Sequence, residues 1–235
     1  MREAHYEVAV VGVGGMGSAT VRALARRGVK VCGIEQFGLA HDLGSSHGEV
    51  RVIRKAYFEH PDYVPLLNEA YTLWEGLEQE SGQKLLERCG ALAVGRPGGE
   101  LIEGLERCYR ENALPHTRLD AAGLRAQYPA FQFSPDHAGF FDPDGGYLLV
   151  EGCVQAAAIT AQRHGAEIFL HEKVLEWDLQ DAAVRIVTDK RTLHADKVVL
   201  TAGPWLHEVF PRIGVPLEVL RKVQLWYDIP ELQDL

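Results

Sequence analysis

A glycine-rich segment near the N-terminus has the residue types and spacing of a dinucleotide site. Gly12-Val13-Gly14-Gly15-Met16-Gly17 fits GxGxxG, in which the glycines allow a tight turn, a close approach of pyrophosphate and close packing of helix on strand. Glu35 follows 23 residues after Gly12, where a carboxylate can accept hydrogen bonds from both ribose hydroxyls and would repel a 2′-phosphate. The pattern predicts binding of NAD or FAD and argues against NADP.

A second glycine motif lies near the C-terminal end of the chain and favours FAD over NAD. The hydrophobic run Lys197–Leu200 leads into Thr201-Ala202-Gly203. This strand end resembles the second dinucleotide motif of flavoproteins with the glutathione-reductase-type fold, where it packs near the FAD phosphates. The alternative is an ordinary strand and turn.

Two arginines in the segment Gly44–Tyr57 could bind anions. Arg51 and Arg54 are three residues apart, so on a helical turn they would share a face. One guanidinium could offset charge near a flavin ring while the other forms a bidentate pair with a carboxylate. His47 precedes them in a glycine-flanked loop, and the alternative is a solvated basic turn.

The elements that must position these groups begin with a βαβ unit over residues 7–35. A buried strand over 8–11 is followed by helical periodicity over 16–24, by Gly28 and by a second strand over 29–34, a pattern typical of a parallel sheet. Further helices are predicted over 63–77, 101–109, 120–128 and 151–164. Strands are predicted over 92–94, 167–170, 183–188, 191–195 and 197–201, with a hairpin over 139–149 around the turn Asp142–Gly146.

Composition excludes several classes of function. The 235 residues carry a formal net charge of −9, which argues against nucleic acid or an anionic membrane as the partner. Residues 1–60 hold eight basic and six acidic residues, which hints at a local anionic ligand. No membrane span, signal peptide or metal-binding spacing is found. Reduced, buried thiols are expected at Cys32, Cys89, Cys108 and Cys153 in a cytoplasmic protein.

The arginine segment resembles the sarcosine oxidase and N-methyltryptophan oxidase family of FAD-dependent amine oxidases, within the D-amino-acid oxidase-like superfamily. Members carry a close match to Gly-Ser-x-His-Gly-x-x-Arg-x-Ile-Arg-x-Ala-Tyr. The matching positions are Gly44, Ser45, His47, Gly48, Arg51, Ile53, Arg54, Ala56 and Tyr57. The similarity continues in Tyr63–Leu66, Leu73-Trp74, Tyr128-Pro129, Asp142–Leu149 and Val199–Trp205.

This resemblance implies an α/β fold with a glutathione-reductase-type, Rossmann-like FAD-binding domain and a partial substrate domain built on an antiparallel sheet. It places the first domain at 1–84 and 146–215, and the second at 85–145 and 216–235. The implied cofactor-binding residues are Gly12, Val13, Gly14, Gly15, Met16, Gly17, Glu35, Gln36, Ser45, Ser46, Arg51, Val174 and Gly203. The implied catalytic residues are His47, Arg51 and Arg54, with Arg54 binding the substrate carboxylate.

The reaction implied is oxidation of a secondary amino acid, N-methyl or cyclic, to an imine, with O2 reoxidising the flavin. Four positions depart from the family: Ser46 and Lys55 replace histidines, Glu49 replaces Asp, and Val50 replaces Thr. These changes put sarcosine itself in doubt as the substrate.

Members of the family are longer, so we expect this chain to be truncated at its C-terminus. The part expected to be missing carries the cysteine that attaches the flavin in many members and the lysine credited with activating oxygen. Three alternatives stay open: a flavin dehydrogenase with another electron acceptor, a non-catalytic nucleotide-binding fragment, and an NAD-linked dehydrogenase.

Overall fold

The computed structural model describes residues 4–180, 183–211, 214, 216–221, 223 and 225. Its helices are α1 Gly15–Ala25, α2 Tyr63–Ser81, α3 Glu100–Asn112, α4 Ala121–Gln127, α5 Val150–Arg163 and α6 Leu206–Val209. Its strands are β1 Ala4–Val11, β2 Val31–Ile34, β3 Val50–Ile53, β4 Leu86–Glu87, β5 Ala91–Gly95, β6 Thr117–Leu119, β7 Ala138–Asp142, β8 Gly146–Leu149, β9 Glu167–Phe169, β10 Val174–Gln180, β11 Ala183–Thr188 and β12 Thr192–Leu200.

The chain divides into two compact units. The first comprises Met1–Val50, Leu77–Leu85 and Leu149–Lys222, and the second comprises Arg51–Gly76, Leu86–Leu148 and Val223–Leu235. Residues 51–76 therefore fall in the second unit, whereas the sequence-based division placed them in the first. The assignment of one unit to FAD and the other to substrate stays a prediction. Within the predicted bounds, residues 1–3, 181, 182, 212, 213, 215, 222, 224 and 226–235 lie outside the described part.

The first unit is built on a six-stranded sheet in the order β10-β11-β12-β1-β2-β9. β1 pairs in parallel with both β12 and β2, and β2 pairs in parallel with β9. β11 pairs antiparallel with β10 and with β12. This arrangement confirms the predicted α/β class and the βαβ unit, because β1 and β2 are parallel neighbours joined through α1.

The short apolar run of β1 is buried on both faces of the sheet. Val8 and Val10 pack in a cluster with Val21 of α1 and Ala161 of α5. Ala9 and Val11 pack on the other face, in a cluster with residues of β2, β11 and β12. Consecutive side chains of a strand point to opposite faces, so a strand covered on both sides must be apolar at every position.

The second unit contains a three-stranded antiparallel sheet in the order β5-β7-β6. Its core combines Ile102 and Leu105 of α3 with Phe140 of β7. A second three-stranded sheet has the order β3-β8-β4, in which β4 and β8 are antiparallel. These sheets agree with the antiparallel architecture expected of a partial substrate domain.

The helical turn considered for the two arginines is wrong. Val50–Ile53 form the strand β3, and Arg54 follows it directly. Val50, Val52 and Ile53 are β-branched, and such side chains favour extended backbone. Residues three apart on a strand point to opposite faces, so the spacing does not place Arg51 and Arg54 on one face.

The hairpin predicted over 139–149 is also wrong, although its turn is real. The Asp144 N–H donates to Asp142 Oδ1 at 2.9 Å, which is the expected turn chemistry. β7 and β8, however, belong to different sheets. At Gly146 a Cβ would lie 1.9 Å from the Glu87 carbonyl oxygen, so β8 lies close against β4 instead of pairing with β7.

Several smaller details differ from the sequence-based expectations, and the short strands β4 and β6 were not predicted. β10 was not predicted, because its exposed acidic residues break the apolar pattern of an edge strand. The two strands expected over 191–201 form the single strand β12. All four cysteines are free, but Cys89 is exposed where a buried thiol was expected.

None of the helices in the described part of the chain is long and apolar enough to cross a membrane. Among the same residues, no group of three or more His, Cys, Asp or Glu side chains could hold a metal ion.

Candidate functional site

The turn from β1 into α1 is held by the end of β12. Gly12 has φ of 95°, a left-handed conformation that glycine adopts without penalty. Thr201 donates its N–H to the Val11 carbonyl at 2.9 Å and its hydroxyl to the Gly12 carbonyl at 2.8 Å. A Cβ on Gly17 would lie 1.8 Å from the Gly12 carbonyl oxygen. The first and third glycines of the motif therefore shape the turn, as predicted.

Glu35 ties the end of β2 to the same turn. Its Oε2 accepts the Val13 N–H at 2.8 Å and its Oε1 accepts the Phe37 N–H at 3.0 Å. The Nε2 atom of His41 lies 3.5 Å from Oε1. Each carboxylate oxygen can accept more than one hydrogen bond, so Glu35 has acceptor capacity left for ribose hydroxyls. The carboxylate is 5% exposed and lines the cavity described below.

The N-terminus of α1 carries no negative charge of its own. Its first turn contains no acidic residue, and Gly14 caps it without a side-chain hydrogen bond. Ser46 reaches it from a loop 31 residues further along the chain, where its Oγ accepts the Gly15 N–H at 2.9 Å. The exposed N–H groups and the positive end of the helix dipole favour an anion such as phosphate at this place.

These groups surround a cavity of about 420 Å³ that lies within the first unit. Phe37, His41 and Trp205 form an aromatic group beside it, with the Phe37 and Trp205 ring centroids 5.3 Å apart. The predicted residues that line the cavity are Gly12, Val13, Gly14, Gly15, Met16, Glu35, Gln36, Ser45, Ser46, Val174 and Gly203. Residues from 12 to 203 therefore meet around a single space.

The cavity has the chemistry that the ADP half of FAD requires. Its lining includes the turn at the positive end of α1 and Glu35 with its acceptor oxygens. At Gly14 the space beside the backbone is open apart from the Ser46 hydroxyl, which a Cβ there would approach to 3.5 Å. The backbone can therefore approach a pyrophosphate closely, as the motif requires.

Four predicted residues lie outside the lining of this cavity, and one of them, Arg54, is described below. Gly17 packs against the turn, as described above. His47 lies in the loop after Ser46, and Arg51 lies in β3. Their predicted roles toward cofactor and substrate stay predictions.

Sequence reasoning missed several residues that line the cavity. Thr201 belongs to the Thr-Ala-Gly motif, which was recognised, so its role in holding the turn could have been found. His41, Trp205 and Lys173 also line the cavity, but no spacing in the sequence connects them to the glycine motif. The folded sheet brings them there.

Arg54 lies in the second unit, beside a smaller cavity of about 140 Å³. Its guanidinium carbon is 4.3 Å from the centroid of the Tyr57 ring. Among the described residues, no carboxylate lies within ion-pairing distance of Arg54. A half-buried guanidinium beside an aromatic ring can still pair with an anionic ligand. Apolar residues including Leu92, Leu105 and Phe140 line this cavity together with Tyr109 and Asp142.

Comparison with known proteins identifies a family and relatives of this chain. A family described as FAD dependent oxidoreductase matches residues 7–233. The chain is 37% identical over 222 residues to monomeric sarcosine oxidase from Streptomyces avermitilis, covering 94% of this chain and 58% of that protein. It is 32% identical over 222 residues to N-methyl-L-tryptophan oxidase from Yersinia pestis, covering 94% of this chain and 59% of that protein.

Solved structures of amino acid oxidases resemble this chain in fold. NikD, described as an unusual amino acid oxidase essential for nikkomycin biosynthesis, superposes with a TM-score of 0.79 at 30% identity, covering 90% of this chain and 55% of that one. Glycine oxidase from Geobacillus kaustophilus superposes with a TM-score of 0.76 at 22% identity, covering 91% of this chain and 60% of that one. At that identity the second likeness shows the fold alone. The chain spans somewhat more than half the length of the proteins it matches.

Proposed function

Because the chain belongs to the family of FAD dependent oxidoreductases, we propose that it binds FAD and serves the oxidation of a small secondary amino acid to an imine. The substrate is an N-methyl or cyclic amino acid, and O2 is the electron acceptor. The observation that carries this proposal is the cavity where the glycine turn, Glu35 and Ser46 meet. The sarcosine and N-methyltryptophan oxidases among the relatives suggest the substrate class.

The bound flavin would supply the chemistry, taking a hydride equivalent from the carbon next to the amine nitrogen. The residues of this chain bind and orient. Glu35 would accept the ribose hydroxyls, and the N-terminus of α1 with Ser46 would bind the pyrophosphate. Arg54 would bind the substrate carboxylate through a bidentate pair. His47 and Arg51 are proposed to lie near the reacting groups.

The decisive experiment is to add FAD to the 235-residue protein and to record the visible spectrum after gel filtration. We expect one flavin to remain bound per chain, and we expect its absorbance to bleach anaerobically when an N-methyl amino acid is added. Readmission of air should restore the absorbance if O2 is the acceptor. Calorimetric titration with NAD serves as the comparison.

The outcomes separate the candidates. Loss of all flavin during gel filtration would contradict the proposal, and heat of binding for NAD alone would favour an NAD-linked dehydrogenase. Flavin that binds but is never bleached would identify a nucleotide-binding chain without catalysis. If an added quinone reoxidises the bleached flavin but air does not, the result favours a dehydrogenase.

A further inference from the structure

The loop after Ser46 contains an unusual turn at Gly48 and Glu49. Gly48 has φ of 95° and Glu49 has φ of 63°, so both residues are in the left-handed region. For a residue with a side chain this conformation costs about 1 kcal/mol or more. Other parts of the protein must therefore hold the turn in place.

The first turn of α5 supplies those contacts. Glu151 Oε1 accepts the Gly48 N–H at 2.6 Å and the Glu49 N–H at 3.3 Å. The Val150 N–H donates to the Glu49 carbonyl at 3.0 Å. Two backbone N–H groups and one carbonyl group of the turn are thus hydrogen-bonded to residues about a hundred positions further along the chain. All of these residues belong to the first unit.

Glu151 is suited to this role electrostatically. Burial opposes its ionised form, but hydrogen bonds from its own backbone N–H and from those of Gly48 and Glu49, together with His47, lower the pKa of this carboxyl below its usual value. An acidic residue in the first turn of a helix is also favoured by the helix dipole. The carboxylate therefore stays charged around neutral pH and binds the turn with charge-assisted hydrogen bonds.

The turn lies directly beside the cavity. Ser45 and Ser46 line the cavity, and Ser46 Oγ accepts the Gly15 N–H at the start of α1. Only His47 separates Ser46 from Gly48, so the position of the turn sets how far Ser46 and His47 can move.

We propose that Glu151 is a positioning residue of the FAD site: by holding the turn at Gly48 and Glu49, it keeps Ser46 and His47 in place beside the N-terminus of α1. The inference rests on the proposed binding of FAD. It adds to the site a residue that does not itself line the cavity.

Three variants of Glu151 separate the effect of its side-chain length from the effect of its charge. Glu151→Ala removes the acceptor, and Glu151→Asp keeps a negative charge at the start of α5 but shortens the side chain by one methylene. Glu151→Gln keeps an oxygen at the same reach. The control is Glu100→Ala, which removes an exposed acidic residue from the first turn of α3.

Two properties are measured for each variant: amide hydrogen exchange at Gly48 and Glu49 without FAD, and the FAD dissociation constant from flavin fluorescence. Glu151→Ala and Glu151→Asp should exchange faster at both amides and weaken FAD binding about tenfold. Glu151→Gln should stay within about threefold of the unaltered chain, and Glu100→Ala should leave both properties unchanged. If Glu151→Ala does not fold, Glu151→Asp decides.

Unchanged exchange and unchanged FAD binding in Glu151→Asp would overturn the inference. Weaker FAD binding with unchanged exchange would also overturn it, because the effect would not pass through the turn. Failure of the unaltered chain to bind FAD would instead overturn the proposed function. Amide exchange is measured without FAD, so it reports whether Glu151 holds the turn even when the chain binds no FAD.

Discussion

At the scale of single residues, Glu35 has one structural task and one proposed task. Its two oxygens accept the N–H groups of Val13 and Phe37, and the proposed function adds the ribose hydroxyls of FAD. Both tasks need an acceptor at each oxygen, which only a carboxylate provides. A residue that looks like a ligand-binding acid in the sequence is therefore also part of the structure of the turn.

Replacing Glu35 by Gln should weaken FAD binding by about tenfold or more, because the new amide N–H would face a backbone N–H and leave a donor without a partner. The FAD dissociation constant of folded protein, from fluorescence titration, is the measurement. Glu7→Gln is the matched control, since exposed Glu7 accepts the Lys30 N–H at 2.9 Å on the same pair of strands. Equal effects of the two substitutions would contradict the role of Glu35 in binding.

Arg54 is the residue on which the substrate proposal depends. Arg54→Lys keeps the charge but loses the planar pair of N–H donors. We expect the concentration of N-methyl amino acid that half-bleaches bound flavin to rise about tenfold, while FAD binding stays unchanged. Arg96→Lys is the control, because Arg96 is exposed and pairs with Asp136 on the surface. If Arg54→Lys has the same half-bleaching concentration as the unaltered chain, Arg54 does not bind the substrate.

At the scale of elements, the contact of α1 with β1 depends on Gly17. A Cβ there would meet the Gly12 carbonyl oxygen and the Thr201 hydroxyl, at 1.8 and 2.8 Å. Neither neighbour can move without disturbing the turn, since Thr201 is hydrogen-bonded to Gly12. The third glycine therefore sets the distance between helix and strand.

Gly17→Ala should lower the free energy of unfolding by about 2 kcal/mol through overpacking, and it should weaken FAD binding because the turn shifts. Gly76→Ala in α2 is the control: its Cβ would meet nothing within 4 Å, and alanine in a helix stabilises it by up to about 1 kcal/mol. Urea unfolding of both variants tests the difference in sign. Equal stability of the two variants would contradict the close packing at Gly17.

The β3 segment shows where reasoning from local spacing fails. Two arginines three apart suggested a helical face, but β-branched neighbours make the segment a strand. The prediction of the hairpin is wrong for a different reason. The turn at Asp142 forms as predicted, but the two strands beside it pair with different neighbours. Strand partners depend on contacts between distant residues, which short patterns do not report.

At the scale of the whole molecule, distant parts of the chain are joined by a few polar contacts. Within the first unit, Glu80 of α2 accepts hydrogen bonds from Arg22 of α1 and contacts His164 at the end of α5. Burial opposes the ionised form of Glu80, but the hydrogen bonds of His164 and Arg22 outweigh it and lower the pKa of this carboxyl. Arg22 is 9% exposed and Glu80 is 23% exposed in their side chains.

This contact should make stability depend on pH. Because the pKa of Glu80 is lower in the folded chain, its contribution is fully present above the unfolded pKa near 4.5 and is lost as the pH falls below that value. Glu80→Gln should destabilise by about 2 kcal/mol at pH 7, and the difference should shrink toward pH 4. Urea unfolding across this range measures it.

Glu75→Gln is the control for that series, because Glu75 and Arg88 form an exposed pair in which both side chains are more than 40% exposed. Exposed pairs contribute little to stability, so this variant should unfold like the unaltered chain at every pH. A Glu80→Gln effect that stays constant from pH 7 to pH 4 would show that the charge of Glu80 is not its cause.

The sequence by itself determined the βαβ unit, the glycine turn, Glu35 at the end of the second strand and the family resemblance. These features rest on short-range spacing, where strand and helix periodicity and the special backbone freedom of glycine act within about 30 residues. The α/β class and the FAD family were confirmed for that reason.

Only the tertiary structure decided which contacts join distant residues at the site. Ser46 reaches α1 across 31 positions, Thr201 reaches Gly12 across 189, and Glu151 reaches Gly48 across 103. Each contact depends on the order of strands in the sheet and on where α5 begins. Local patterns carry no information on that order, because the same strand can pair with several partners until the packing of the whole sheet selects one.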